Sequence, residues 1–280
     1  MGDFGDIKIK ILIDNSPDAQ SNLHYEKGLS LYIEFDGQRI LCDTGLTGNF
    51  ADNAKKLNVD MNNIDFCFIS HAHNDHTGGL KQLINENKKC NIYISENAIN
   101  TKYFSHRHPQ KRDLSVDFDL VAANKTQFVT IQTSKWLFPN IAAVFCNGNS
   151  YAKPLGNKYL TKVVDGKEVL DDFTHEMSLA LVKDDELIVI SSCSHNGAPN
   201  IIESCMQFTG KRKLHSFIGG LHFLDSENPT QEVNNLMDYI NKNTPQAQYF
   251  VGHCTGDKAK LELQKHSINI FVTGDSINCN

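Results

Sequence analysis

No C-x-x-C pair, no apolar run near the roughly 20 residues of a spanning helix, no excess of positive charge and no Pro/Gly/Ser-rich linker occurs in this sequence. Each absence narrows the reading. The eight cysteines (Cys42, Cys67, Cys90, Cys146, Cys193, Cys205, Cys254 and Cys279) are unpaired in sequence, and several sit in apolar strand-like runs. They read as reduced, buried thiols rather than disulfides. Without a long apolar run no membrane span is expected. A net charge of −6 argues against a nucleic-acid-binding surface. The opening Met1–Asp6 has neither a basic region nor an apolar core, so no signal peptide is readable and a cytoplasmic chain is expected. With no linker and no short repeat, the 280 residues read as a single domain, built around one sizeable core.

Histidine, by contrast, is plentiful: there are twelve, and His71, His73, His76 and His195 sit just past apolar runs. The stretch from Phe66 to Leu80 carries most of the information. An apolar strand ends in His71-Ala-His-Asn-Asp-His76, the pattern H-x-H-x-D-H, followed by Thr77 and a glycine pair. Neutral imidazoles and a carboxylate suit a borderline metal such as zinc. His71 and His73 lie two apart, so a tightly turned segment points both at one metal, leaving Asp75 and His76 for a second ion. Four ligands do not complete two sites. His195 and His253, each at the end of an apolar strand with small neighbours, are the candidates to do so.

Around this stretch, strands and helices alternate. Ile7–Ile13, Leu29–Phe35, Arg39–Cys42 and Asp65–Ile69 read as strands, with Asp36-Gly37 as a hairpin turn. Helices are expected over Phe50–Leu57, Gly78–Asn85, Glu96–Phe104, Thr230–Ile240 and Asp257–Lys265. Met177–Val182, Leu187–Ile190 and Tyr249–His253 read as further strands, and Ile268–Val272 as the last one. From His106 to about Lys162 the pattern weakens, apart from strand-like pieces at Gln127–Ile131 and Ile141–Phe145. This stretch reads as a variable, insertion-like region that shapes the substrate pocket. His106-Arg107-His108 reads as solvated loop, and His24, Lys265 and His266 as surface.

Further motifs follow in order: Glu26-x-Gly-Leu-Ser30, Leu41-Cys-Asp-Thr-Gly45, His175-Glu-Met-Ser-Leu179, Ser192-Cys-Ser-His195, Gly219-Gly-Leu-His222 and Gly252-His-Cys-Thr-Gly256. With the H-x-H-x-D-H stretch, the set resembles the metallo-β-lactamase superfamily. Within it, the chain is similar to the branch of the 7,8-dihydropterin-6-methyl-4-(ribofuranosyl)-aminobenzene 5′-phosphate synthases. The resemblance implies an α/β (α+β) fold, a four-layer αβ/βα sandwich. It also implies two divalent metal ions, zinc foremost with manganese or iron as alternatives. Carried over, one metal takes His71 and His73 and the other Asp75 and His76, with His195 and His253 completing the shells. Asp43 would orient a ligand histidine through its ring N–H, or else cap its own turn. The chain departs from the superfamily pattern where other members have a bridging carboxylate: here stands Ser192-Cys-Ser-His195. His175, His222 and Cys193 are the possible substitutes. Cys193 reads mainly as a packed thiol and His175 as a capping or surface residue.

The function implied is a metallohydrolase that activates water against a small phosphorylated, ester, lactone or thioester metabolite. Asp75 and His222 are its candidate catalytic residues, His222 as the leaving-group acid. A metal-binding or sensing protein without turnover is one alternative. A di-iron oxygen or nitric-oxide reductase is another, although that reading prefers a glutamate where His73 stands and a linked flavin domain.

Overall fold

A computed structural model describes residues 7–18, 20–224 and 228–279. Met1–Asp6, where no signal peptide is readable, lies outside the described residues. Among those residues no helix is long and apolar enough to cross a membrane.

Two seven-stranded sheets form the body. In spatial order the first runs Ser276–Asn278, Lys8–Ile13, Ser30–Phe35, Gln38–Cys42, Phe66–Phe68, Asn91–Ser95 and Phe128–Ile131. The second runs Asn269–Ile270, Gln248–Val251, Lys213–Gly219, Glu186–Ser191, Met177–Lys183, Ile141–Phe145 and Lys135–Phe138. Alternation along the strands decides which side chains meet. Ile9, Leu31, Ile33 and Ile40 of the first sheet pack with Leu179, Leu181, Ile188 and Ile190 of the second, in one buried cluster between the sheets. The intervening residues face outward under helices. Leu12, Leu41 and Cys67 pack with Phe50 and Ala54 of helix Asn49–Lys56 and Leu80 and Leu83 of helix Leu80–Glu86. On the other side Ala180, Val182, Leu187 and Val189 pack with Ile201, Ile202 and Cys205 of helix Ala198–Thr209. Helices Thr230–Asn243 and Asp257–Gln264 join the same cluster through Leu236 and Leu263. The result is the helix–sheet–sheet–helix sandwich that the family resemblance implies.

Several element boundaries differ from the sequence reading. The helix expected over Glu96–Phe104 stops at Asn100, and Tyr103–Ser105 forms a strand instead. That strand belongs to a small four-stranded sheet with Arg112–Asp113, Leu160–Val164 and Lys167–Leu170. The strand expected over Ile268–Val272 shrinks to Asn269–Ile270, and Ser276–Asn278 is the last strand. The weakly patterned stretch 106–162 supplies three strands of the two large sheets: Phe128–Ile131 pairs with Asn91–Ser95, Ile141–Phe145 pairs with Met177–Lys183, and Lys135–Phe138 pairs with its sequence neighbour Ile141–Phe145 at the sheet edge.

What positions the site is the alignment of strand ends. In the second sheet, Glu186–Ser191, Lys213–Gly219 and Gln248–Val251 are parallel, with Ser191 opposite Gly219 and Gly219 opposite Val251. The turns that follow, carrying His195, His222 and His253, therefore leave the sheet side by side. In the first sheet Cys42 lies opposite Phe68, which sets Asp43 beside Ser70 and His71. Carboxyl ends of parallel strands are where such folds assemble sites.

Candidate metal centre

The H-x-H-x-D-H stretch is split between two conformations. His71 and His73 precede a single helical turn, Asn74–Thr77, whose first carbonyl acceptor is His73 O; the N–H groups of His76 and Thr77 donate to it at 2.9 and 3.1 Å. Asp75 and His76 ride on that turn. Gly78 ends it under the chain at Leu46, where a Cβ would lie 2.0 Å from Leu46 O. Glu26 clamps the same loop, accepting from the backbone N–H groups of Leu46 and Thr47 at 3.0 and 2.8 Å. The first motif of the resemblance is thus a support for the loop.

All six residues expected to bind metal are buried and adjacent. Ligand atoms of His71, His73 and His195 lie within 4.8 Å of one another. His76 Nε2 lies 3.2 Å from His253 Nε2, and Asp75 Oδ1 lies 4.0 Å from His76 Nε2. The outer nitrogens of four histidines meet oxygen acceptors. His76 Nδ1–H donates to Asp43 Oδ2 at 2.8 Å, and His253 Nδ1–H to Asn15 Oδ1 at 2.9 Å. His195 Nδ1–H donates to Asn157 Oδ1 at 3.1 Å. Ser70 gives its hydroxyl proton to Asp43 at 2.7 Å, so its oxygen accepts from His71 Nδ1–H at 2.8 Å. With Nδ1 holding the proton in each ring, four Nε2 lone pairs face inward. Such outer partners fix the tautomer of metal-binding histidines.

A metal fits this donor set, because the centre contains polar atoms that nothing else serves. His195 Nε2 and His222 Nδ1 are buried without a hydrogen-bond partner, which is costly unless a cation or substrate meets them. Burial, then neighbouring histidines, pushes the pKa of His71, His195 and His253 well below the usual imidazole range, and brings His73 down to about 3. His76 goes the other way: burial disfavours its charge, but the Asp43 carboxylate outweighs that and raises its pKa. His76 Nε2 and His253 Nε2 face each other across 3.2 Å, a gap that a cation can occupy. At Asp75, burial is outweighed by Lys27, 3.0 Å away, together with the neighbouring histidines, which holds the carboxyl below the usual range.

Other residues are fixed around the centre. Glu176 accepts from the N–H groups of His195 at 2.7 Å and Asn196 at 2.9 Å, and Phe173 stacks on the His195 ring at 4.4 Å. His175 is fully buried rather than at the surface. Its Nδ1 accepts from Ala72 N–H and its Nε2–H donates to Asp171 at 3.0 Å, so both nitrogens are engaged. Ser194, His222 and His253 all adopt left-handed backbone, with φ of 58, 54 and 45. Strained conformations of this kind concentrate at functional sites. Sequence reading missed Arg107 and Asn157. Arg107 reaches from the stretch read as solvated loop to within 3.4 Å of His222 Nε2. Neither had a local signal.

The family profile described as Metallo-beta-lactamase superfamily matches residues 26–179. The chain belongs to that superfamily. Among curated proteins it is similar to the 7,8-dihydropterin-6-methyl-4-(beta-D-ribofuranosyl)-aminobenzene-5′-phosphate synthase of Methanocaldococcus jannaschii, at 29% identity over 93% of this chain and 91% of that one. An anaerobic nitric oxide reductase flavorubredoxin of an Enterobacter species is 27% identical over 42% of this chain and 26% of its own length. Among solved structures, a metal-dependent hydrolase of the β-lactamase superfamily superposes with a TM-score of 0.80, covering 97% of this chain and 98% of that one at 24% identity. Human tRNase Z, short form, gives 0.55 at 12% identity, covering 98% and 99%. These two likenesses show the shared fold.

Proposed function

We propose that the chain is a metal-dependent hydrolase working through two divalent ions, zinc foremost, on a small anionic metabolite. In this reading His71, His73 and His195 hold one ion, and Asp75, His76 and His253 the other. The observation that carries it is the convergence of four inward Nε2 atoms whose outer nitrogens are all engaged, one of them, on His195, without a partner. When bound, the metals supply Lewis acidity and a nucleophile at neutral pH.

The protein's own groups do the rest. Beside the centre lies a cavity of about 540 Å³ whose lining includes His73, Asp75, His222 and His253, with the cations Lys27, Arg107 and Lys260 around it. Three cations suit a phosphoryl or carboxylate group, and binding it there would place the rest of the substrate beside the histidines that line the same cavity. His222 Nε2 accepts from the Arg107 guanidinium, which leaves the ring proton on the unpartnered Nδ1. That N–H is the candidate donor to a leaving group. A related transfer reaction is the second reading, favoured by the name of the Methanocaldococcus relative, a synthase.

Metal analysis of purified protein beside His71→Ala and His195→Ala tests the centre. About two equivalents, falling in both variants, are expected; full metal in the His195 variant would remove that residue. A screen over phosphodiesters, phosphomonoesters, lactones and thioesters tests the activity. No turnover with metal loaded would favour a metal-sensing role.

A further inference from the structure

A thiol lies among the histidines of the centre. Cys193 is 3% exposed, and its Sγ lies 3.3 Å from His76 Nε2. The sulfur is also within 4.8 Å of ring nitrogens of His71 and His76 in one group, of His195 and His222 in a second, and of His253 with Cys254 in a third. It therefore borders both sets of histidines. Left-handed backbone at Ser194 reverses the chain between Cys193 and His195, so both side chains reach the same place. His195 Nε2, fully buried and without a partner, is an independent sign that something binds there.

We propose that Cys193 is a thiolate ligand shared by the two metals, standing where other members of the superfamily carry a bridging carboxylate. The inference rests on the metal centre proposed above. Binding is a simple exchange: the S–H proton leaves to solvent, a sulfur–metal bond forms, and no electron is transferred. A coordinating thiol loses its proton outright even where burial alone would keep it neutral. Soft sulfur between the ions selects zinc, ferrous iron or cobalt over magnesium and manganese, which prefer oxygen. A carboxylate bridge would not discriminate in this way.

Cobalt(II) titrated into metal-stripped protein, with absorption and bound metal followed together, is the test. A sulfur-to-cobalt charge-transfer band in the near ultraviolet should grow through both equivalents. It should vanish in Cys193→Ser and survive in Cys254→Ala, while Cys193→Asp keeps both equivalents without the band. Two equivalents bound with no band, or a band complete after the first, would overturn a shared thiolate yet leave the metal centre standing. A band lost in Cys254→Ala but kept in Cys193→Ser would assign the sulfur to Cys254 and overturn it too. No cobalt bound by the unaltered chain would remove the centre and the inference together. If Cys193→Ser fails to fold, the unaltered chain and the Cys254 variant still decide.

Discussion

Asp43 Oδ2 accepts from His76 Nδ1 at 2.8 Å, with both side chains completely buried. The same carboxylate accepts from the backbone N–H and the hydroxyl of Ser70 at 2.8 and 2.7 Å, and Ser70 in turn holds His71. One acidic residue thus orients two histidines of the centre. In Asp43→Asn only one oxygen remains and the amide faces groups that donate. Metal affinity should fall about 10–100-fold, the usual effect of losing such a partner. Competition with a chromophoric chelator measures it, and unchanged affinity would leave Asp43 as a turn cap.

Glu176 accepts three N–H groups, from the backbones of His195 and Asn196 and from Asn196 Nδ2 at 2.9 Å. Glu176→Ala leaves buried donors unpaired, each costing about 1–3 kcal/mol. Urea unfolding should show a loss of about 3 kcal/mol or more, with Glu176→Gln milder because it keeps one oxygen. Equal stability of the alanine variant would contradict this.

Gly219 adopts φ +147, and a Cβ there would lie 1.8 Å from Ser191 O. The close approach keeps the ends of neighbouring strands aligned beneath Cys193 and His222. Gly219→Ala should therefore separate these turns, lowering both the unfolding midpoint and the bound metal. Normal metal content in a folded Gly219→Ala protein would count against the alignment.

Acid should weaken the metal-stripped protein. Burial, then His175, brings the folded pKa of His73 from 6.5 to about 3. The folded chain keeps this ring neutral, so its contribution is complete above 6.5 and is lost as pH falls toward 3. His71, His195, His222 and His253 shift in the same direction, whereas His76 is raised and opposes them. The net slope should be about 1.4 kcal/mol per pH unit for each excess proton taken up on unfolding. Thermal melts across mildly acidic pH check it; a midpoint that does not move would refute the buried neutral histidines.

By itself the sequence determined the family, the strand–turn–helix course of the H-x-H-x-D-H stretch and most of the alternating strands. Those signals are local: period-two patterning and a six-residue spacing act within one element. It also indicated His195, His222 and His253, because each ends an apolar strand. Only the tertiary structure decided what stands beside them. Arg107 meets His222 across 115 positions, His76 meets Cys193 across 117 and His253 across 177, and no residue near any of them encodes the meeting. His175, read as a cap or surface residue, is buried for the same reason: Ala72 meets it across 103 positions, and only its bond to Asp171 is local. In-register parallel strands bring those turns together, and register is set by the packing of both sheets as a whole.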